Sequence, residues 1–263
     1  MIFYFSGTGN SLYIAQRIDE AIGGEICSIP KCIRERRTSF QLKPGERLGF
    51  VFPTHVWGTP WVVDEFIESL SIEPAPGYGS RDSRLKGIYT FVVITYGSSV
   101  GDAADTLESL LEKKGLEAKL VYSVQMPDNY VIGADIQPEE KVDEILVDAE
   151  DRIDDICMKV IRRQAGTSVH KGRFSAVVTR THGIYKHFGH RTADFFADES
   201  CDSCGLCEEI CDSGIIELDH DGRPRWTLSE CAYCLGCINR CPKHAIQYGQ
   251  HTAKRGRYSN PNV

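Results

Sequence analysis

Eight of the chain's eleven cysteines fall in two runs of identical spacing near the C-terminal end. The first is Cys201-x2-Cys204-x2-Cys207-x3-Cys211, and the second is Cys231-x2-Cys234-x2-Cys237-x3-Cys241, followed by Pro242. The runs repeat with a period of 30 residues, and a matching apolar pair follows each, Ile215–Ile216 and Ala245–Ile246. Three cysteines on one tight loop can cap three corners of a [4Fe–4S] cubane, and the last cysteine of each run serves the other cluster. The expected ligand sets are therefore Cys201, Cys204, Cys207 and Cys241 for one cluster, and Cys231, Cys234, Cys237 and Cys211 for the other. Structural zinc is the alternative, but zinc sites pair two ligands per knuckle with longer gaps between the pairs. Cys27, Cys32 and Cys157 stand apart, with no second ligand-like residue nearby in the sequence, and read as core or surface thiols.

A second group of chemistry-bearing residues lies at the other end of the chain. Ser6-Gly7-Thr8-Gly9-Asn10-Ser11 offers backbone N–H groups, hydroxyls and the start of a helix, which together bind a phosphate dianion. The loop has no Lys and is not a triphosphate-binding Walker loop, and no Gly-x-Gly-x-x-Gly marks a dinucleotide site. The plainer reading is a strand-to-helix turn with Ser or Thr capping.

The elements that must position these residues follow from hydrophobic patterning. Met1–Phe5 is a short apolar run stopped by the glycine turn, a buried strand. Ser11–Ile22 spaces Leu12, Ala15, Ile18 and Ile22 along one helical face. Arg47–Phe52, Gly87–Thr95 and Ala118–Val124 read as strands, and Trp61–Leu70, Ala103–Lys114 and Pro138–Arg163 as helices, with Gly115 a natural stop for the second of these. Strands alternating with helices predict a parallel sheet covered on both faces. A doubly wound five-stranded order fits, with its ligand crevice at the strand C-terminal ends.

Composition sets the outer bounds. A chain of 263 residues with 41% hydrophobic and 25% charged residues is ordinary for a globular protein. A net charge of −7 argues against general nucleic-acid binding. No apolar run approaches the ~18 residues a membrane span needs, and the short apolar start lacks the basic lead-in of a signal peptide. A cytoplasmic location is expected, where clustered cysteines mean metal rather than disulfides. Residues 162–191 are basic, with Arg162, Arg163, Lys171, Arg173, Arg180, Lys186 and Arg191, and hold His170, His182, His187 and His190. From Asp194 to Asp219 the sign reverses, which suggests either electrostatic docking of the two or a solvated linker. Gly249–Val263 is a polar, basic tail.

The two ends each resemble a known family. Residues 193–248, with both three-plus-one cysteine runs, resemble the two-cluster bacterial ferredoxins, except that Cys211 is followed by Asp212 where that family has proline. Tyr4-Phe5-Ser6-Gly7-Thr8-Gly9-Asn10-Ser11, ending the first strand of an alternating pattern, resembles the flavodoxins, whose corresponding loop holds the phosphate of FMN. The resemblance covers residues 1–165, and makes residues 166–192 a basic linker and 249–263 a tail. It implies an α/β, flavodoxin-like doubly wound five-stranded sheet followed by a small α+β ferredoxin domain. It also implies two loops flanking the flavin ring. These are Pro53-Thr54-His55-Val56-Trp57-Gly58-Thr59-Pro60 and Thr95-Tyr96-Gly97-Ser98-Ser99, with Asp128-Asn129-Tyr130 a possible further rim. By resemblance Thr54, Trp57, Gly58, Thr95, Tyr96 and Gly97 contact the flavin; Trp57 and Tyr96 shield the ring, and Gly58 faces its N5.

Together the halves look like the fused flavodoxin–ferredoxin proteins of anaerobic bacteria and archaea. The function so implied is electron transfer between two [4Fe–4S] clusters and a bound FMN, with unnamed redox partner proteins as donor and acceptor. An FMN-dependent reductase of a small acceptor, fed by the clusters, is the alternative; clusters that only hold a scaffold together are a third.

Overall fold

The computed structural model describes residues 1–77, 80–172 and 190–263. Its strands are β1 (Ile2–Tyr4), β2 (Ile26–Ser28), β3 (Ser39–Gln41), β4 (Leu48–Pro53), β5 (Ser71–Glu73), β6 (Thr90–Tyr96), β7 (Ala118–Gln125), β8 (Gly166–Ser168), β9 (Phe195–Ala197), β10 (Ile216–Leu218), β11 (Pro224–Trp226) and β12 (Ile246–Tyr248). The longer helices are α1 (Asn10–Ile22), α2 (Ile29–Arg34), α3 (Trp61–Ser69), α4 (Arg81–Lys86), α5 (Ala103–Lys113) and α6 (Glu139–Ile161).

Six strands form one parallel sheet in the order β2-β1-β4-β6-β7-β8. Its first five strands follow the flavodoxin-like order, which reverses direction beside β1 and opens a crevice there. Side chains alternate across the pleat. Phe3, Phe50, Phe52, Val92 and Ile94 pack under α3 and α5, with Phe66, Ile67, Leu107 and Leu111. Ile2, Val51, Phe91, Val93 and Leu120 pack under α1 and α6, with Ile14, Ile18, Ile153 and Ile156. The central strands are therefore buried on both faces, which is why they read as unbroken apolar runs.

The sheet has six strands where patterning gives five. β2 and β8 are three residues each, too short for a period. β8 also draws Gly166–Ser168, read from composition as the start of a linker, into the sheet beside Leu120–Tyr122. Of the basic stretch that follows, 173–189 lies outside the described residues. Lys171 pairs with Asp105 of α5, and His190 approaches Glu230 at 3.5 Å.

Residues 195–248 fold as two copies of one motif. β9 pairs with β12 and β10 with β11, all antiparallel. Each cysteine run wraps a single helical turn, Leu206–Glu209 in one copy and Gly236–Asn239 in the other. The period of the sequence persists in the backbone. Ser203 and Tyr233 take φ of 59° and 54°, Gly205 and Leu235 take 79° and 57°, and Gly214 and His244 take 64° and 51°. A small core of Phe195, Tyr233, Leu235, Ile238 and Ile246 lies between the copies, and Val131 from the α/β part completes it.

Candidate functional site

Four strand ends converge on one cavity of about 380 Å³. Ser6–Thr8, Asn10 and Ser11 follow β1; Pro53–Trp57 follow β4; Thr95–Ser99 lie at and beyond the end of β6; and Met126–Tyr130 follow β7. Tyr233 and Leu235 of the second cysteine run close the remaining side. The volume is within the usual range for a small-molecule site.

The Gly-rich loop is shaped to receive an anion. Gly9 caps α1 with φ 99°, and its N–H donates to Ser6 Oγ at 3.2 Å. The first turn of α1 carries no acidic residue, and its leading N–H groups have no intrahelical acceptor. The Thr8 hydroxyl accepts from Asn129 Nδ2 at 2.6 Å, and Ser11 Oγ shares a hydrogen bond with Thr95 Oγ1 at 2.9 Å. Two of the loop's hydroxyls thus also tie it to the β6 and β7 loops. The side chain of Asn10 is buried and spans three segments: its Nδ2 donates to Pro127 O, and its Oδ1 accepts from Tyr258 and Asn260.

The second wall is a tight turn. His55 and Gly58 exchange N–H···O bonds of 2.9 and 3.1 Å across Val56 and Trp57, whose φ are 46° and 62°. Two bulky residues in the left-handed region are strained, and such strain gathers at ligand sites. Gly101, at φ 57°, packs beneath: a Cβ there would fall 2.0 Å from Trp57 O. Thr54 Oγ1 donates to Gly58 O and Val100 O, bracing the same turn. Val56 and Trp57 reach the cavity wall; Gly58 does not, and its N–H donates to His55 O. Gly9 is likewise off the wall, turned toward Asn260 and Val263.

On the third wall the Tyr96 ring stacks on His170 at 5.4 Å and 16°. Burial raises the Tyr96 hydroxyl's pKa above its ordinary value, so the phenol stays neutral. Gly97 lines the same wall, where a Cβ would press on the Asp128 carboxylate. Asp128–Tyr130, which sequence marked only as a possible rim, is a full wall of the cavity.

Cys201, Cys204, Cys207 and Cys241 line one small cavity together with Cys237. Cys211 lies close enough to Cys231, Cys234 and Cys237 to raise the proton affinity of those three thiols. Burial pushes the Cys207 and Cys234 thiols up to about 11 and Cys231 to about 12. Metal-free, these groups would therefore be thiols; a bound cation displaces the protons. Tyr233 N donates to Cys231 Sγ at 3.2 Å and Ala245 N to Cys241 Sγ at 3.3 Å, bonds of the kind that tune cluster potentials.

The second cysteine run is packed onto the Gly-rich loop. A Cβ on Gly7 would fall 1.9 Å from Cys234 O, so only glycine permits the contact. Trp61 Nε1 donates to Cys231 O at 3.0 Å, and Asn239 Nδ2 to Asn129 O at 3.1 Å. Asp212, which stands where the ferredoxin pattern has proline, accepts a hydrogen bond from Ser28 Oγ at the end of β2. The departure from the pattern is thus a contact between the two parts. Cys27 and Cys32, distant from other ligands in sequence terms, are both buried in the core, where Cys27 Sγ donates to Glu25 Oε1 at 3.3 Å; the proton affinity of Cys27 is raised and that of Cys32 lowered by their proximity to one another. Residues 249–263, read as an unexplained tail, lie across the same junction.

No protein-family model matches the chain. Its C-terminal region is similar to the pyruvate synthase subunit PorD of Methanocaldococcus jannaschii, 37% identical over 49 residues, which is 19% of this chain and 57% of that subunit. The match thus spans little more than half the length of the curated relative. Among solved structures, a putative flavoprotein from Bacteroides uniformis is 17% identical, covering 56% of this chain and 96% of that one, with a TM-score of 0.35. The two-electron reduced flavodoxin of Megasphaera elsdenii is 18% identical, covering 47% and 85%, with a TM-score of 0.30. The strand order and register, not these likenesses, carry the fold. By its own topology and its two cysteine repeats, the chain is a flavodoxin-like α/β fold fused to a ferredoxin-like cysteine module.

Proposed function

We propose that this chain is an electron carrier that holds FMN in the α/β part and two [4Fe–4S] clusters in residues 193–248. When bound, FMN supplies one- or two-electron chemistry at its ring, and each cluster supplies one-electron chemistry. Ser6–Ser11 would hold the phosphate, with Trp57 and Tyr96 beside the ring. Tyr233 and Leu235 carry the reading. They flank the cluster ligand Cys234 and line the same cavity as the Gly-rich loop. The set Cys231, Cys234, Cys237 and Cys211 is therefore proximal to the flavin, and Cys201, Cys204, Cys207 and Cys241 are distal, with Cys204 exposed. Holding both centres in one chain makes their encounter intramolecular. The likeness of the C-terminal region to a pyruvate synthase subunit supports a protein partner on the cluster side.

The test is anaerobic purification with iron, sulfide and flavin quantified together, followed by rapid mixing with a one-electron donor. The reading predicts about eight irons per chain, one FMN, and flavin reduction whose rate does not depend on protein concentration. Zinc in place of iron, or absence of flavin, would sink it. Saturable turnover of a small acceptor would favour the reductase alternative.

A further inference from the structure

Residues 249–263 belong to neither half by sequence, yet they run from β12 to the Gly-rich loop. At the module end, Arg257 donates from Nη1 to Thr252 O at 3.0 Å and from Nη2 to Gln247 Oε1 at 3.0 Å. Tyr258 N donates to Asn239 Oδ1 at 3.1 Å. Asn239 is buried in the helical turn between Cys237 and Cys241, and its Nδ2 donates to Leu235 O at 3.0 Å. At the other end, Tyr258 OH donates to Asn10 Oδ1 at 2.7 Å, and Asn260 Nδ2 donates to the same oxygen at 3.2 Å. Asn260 N donates to Thr8 O at 2.7 Å. Asn260 is 2% exposed, Tyr258 6% and Asn10 7%, so water does not substitute for these bonds.

We infer that this segment is a strap that fixes the phosphate-binding conformation of the Gly-rich loop and makes FMN affinity depend on the folded cysteine module. The inference rests on the FMN reading above. Gly9 holds φ 99° with Asn260 Cβ and Val263 Cβ only 3.0 and 3.2 Å from where its own Cβ would be. The strap thus lies close against the loop from outside while Asn10 is pinned from within. A loop ordered in advance spares the ligand the cost of ordering it. Without the strap, the amide oxygen of Asn10 is a buried acceptor left unsatisfied, and the loop must open to solvate it. Because Tyr258 bonds to both Asn10 and Asn239, loosening the turn between Cys237 and Cys241 loosens the phosphate loop. The coupling is reciprocal: FMN must stabilise the module by the factor by which the module tightens FMN. Tyr258, Asn260 and Asn239 are positioning residues here, since none of the three lines the cavity.

The experiment uses the anaerobically purified full chain, depleted of flavin and loaded with iron, titrated with FMN by fluorescence quenching. Tyr258→Phe keeps the ring and removes one donor, and Asn260→Ala removes another. Each should weaken FMN binding roughly fivefold, the equivalent of one buried hydrogen bond, the other donor still satisfying Asn10 Oδ1, while iron and sulfide per chain stay at the wild-type value. FMN affinity equal to wild type in both variants would overturn the strap. Should a variant lose its iron, the wild-type chain supplies an independent measure. Saturating FMN should raise the chelator concentration needed to strip half the iron, and no shift would overturn the coupling. A wild-type, iron-loaded chain that binds no FMN at all would instead sink the functional reading beneath it.

Discussion

Tyr233 and Leu235 show how much one side chain's placement depends on its backbone. Their counterparts in the first copy, Ser203 and Gly205, share their positive φ, a region that is cheap for glycine and costly for leucine. The first copy holds this conformation with small residues, the second with large buried ones that line the cavity beside the Gly-rich loop. Tyr89 makes a simpler case. Its hydroxyl donates to Gln164 O at 2.7 Å, pinning the return from α6 into β8, and burial pushes its pKa up to about 12. The unfolded tyrosine loses its proton near pH 10. Tyr89 should therefore contribute fully below pH 10 and lose that contribution as pH rises toward 12. In Tyr89→Phe, urea unfolding of the chain should lose about 2 kcal/mol of this alkaline dependence. An unchanged slope of stability against pH would refute the assignment.

Among the elements, the loop after β7 does the most to join the two parts. It lines the large cavity beside the Gly-rich loop with Met126–Tyr130 and then inserts Val131 into the module's core. Val131 is fully buried, and Arg255 Nη1 donates to its carbonyl at 2.5 Å. Val131→Ala should cost about 1–3 kcal/mol. It should also split one thermal transition into two, the module melting first while the sheet survives. A single transition at the wild-type midpoint would show that the loop carries no load between the parts. The element pattern was readable from sequence wherever it was long: α1, α3, α5, α6 and the central strands lie within three residues of their expected ends. β2 and β8 were not, since three residues on a sheet edge have no period and gain their place only from the neighbouring strand.

For the whole molecule, the decisive arrangement is the crossed pairing of the cysteine runs. Cys211 stands with the second run and Cys241 with the first. On the proposed function, Cys211→Ala should disturb the cluster beside the cavity and, with it, any magnetic interaction between that cluster and a one-electron-reduced flavin. Cys241→Ala should disturb the distal cluster and leave that interaction intact. Electron paramagnetic resonance of the reduced variants tests the pair, and identical losses in both would refute the pairing. The described residues contain no helix long and apolar enough to cross a membrane.

What the sequence determined alone was local: the three-plus-one spacing of each cysteine run, the glycine turn between a strand and a helix, and the alternation that makes a parallel sheet. Each depends on residues close along the chain, where geometry follows from spacing. The tertiary structure decided which distant segments meet. Cys234 lies against Gly7, Asp212 against Ser28 and Asn260 against Asn10, contacts between residues more than 180 positions apart. No local pattern encodes such contacts, because they form only where two distant surfaces fit and bury each other's polar groups in pairs.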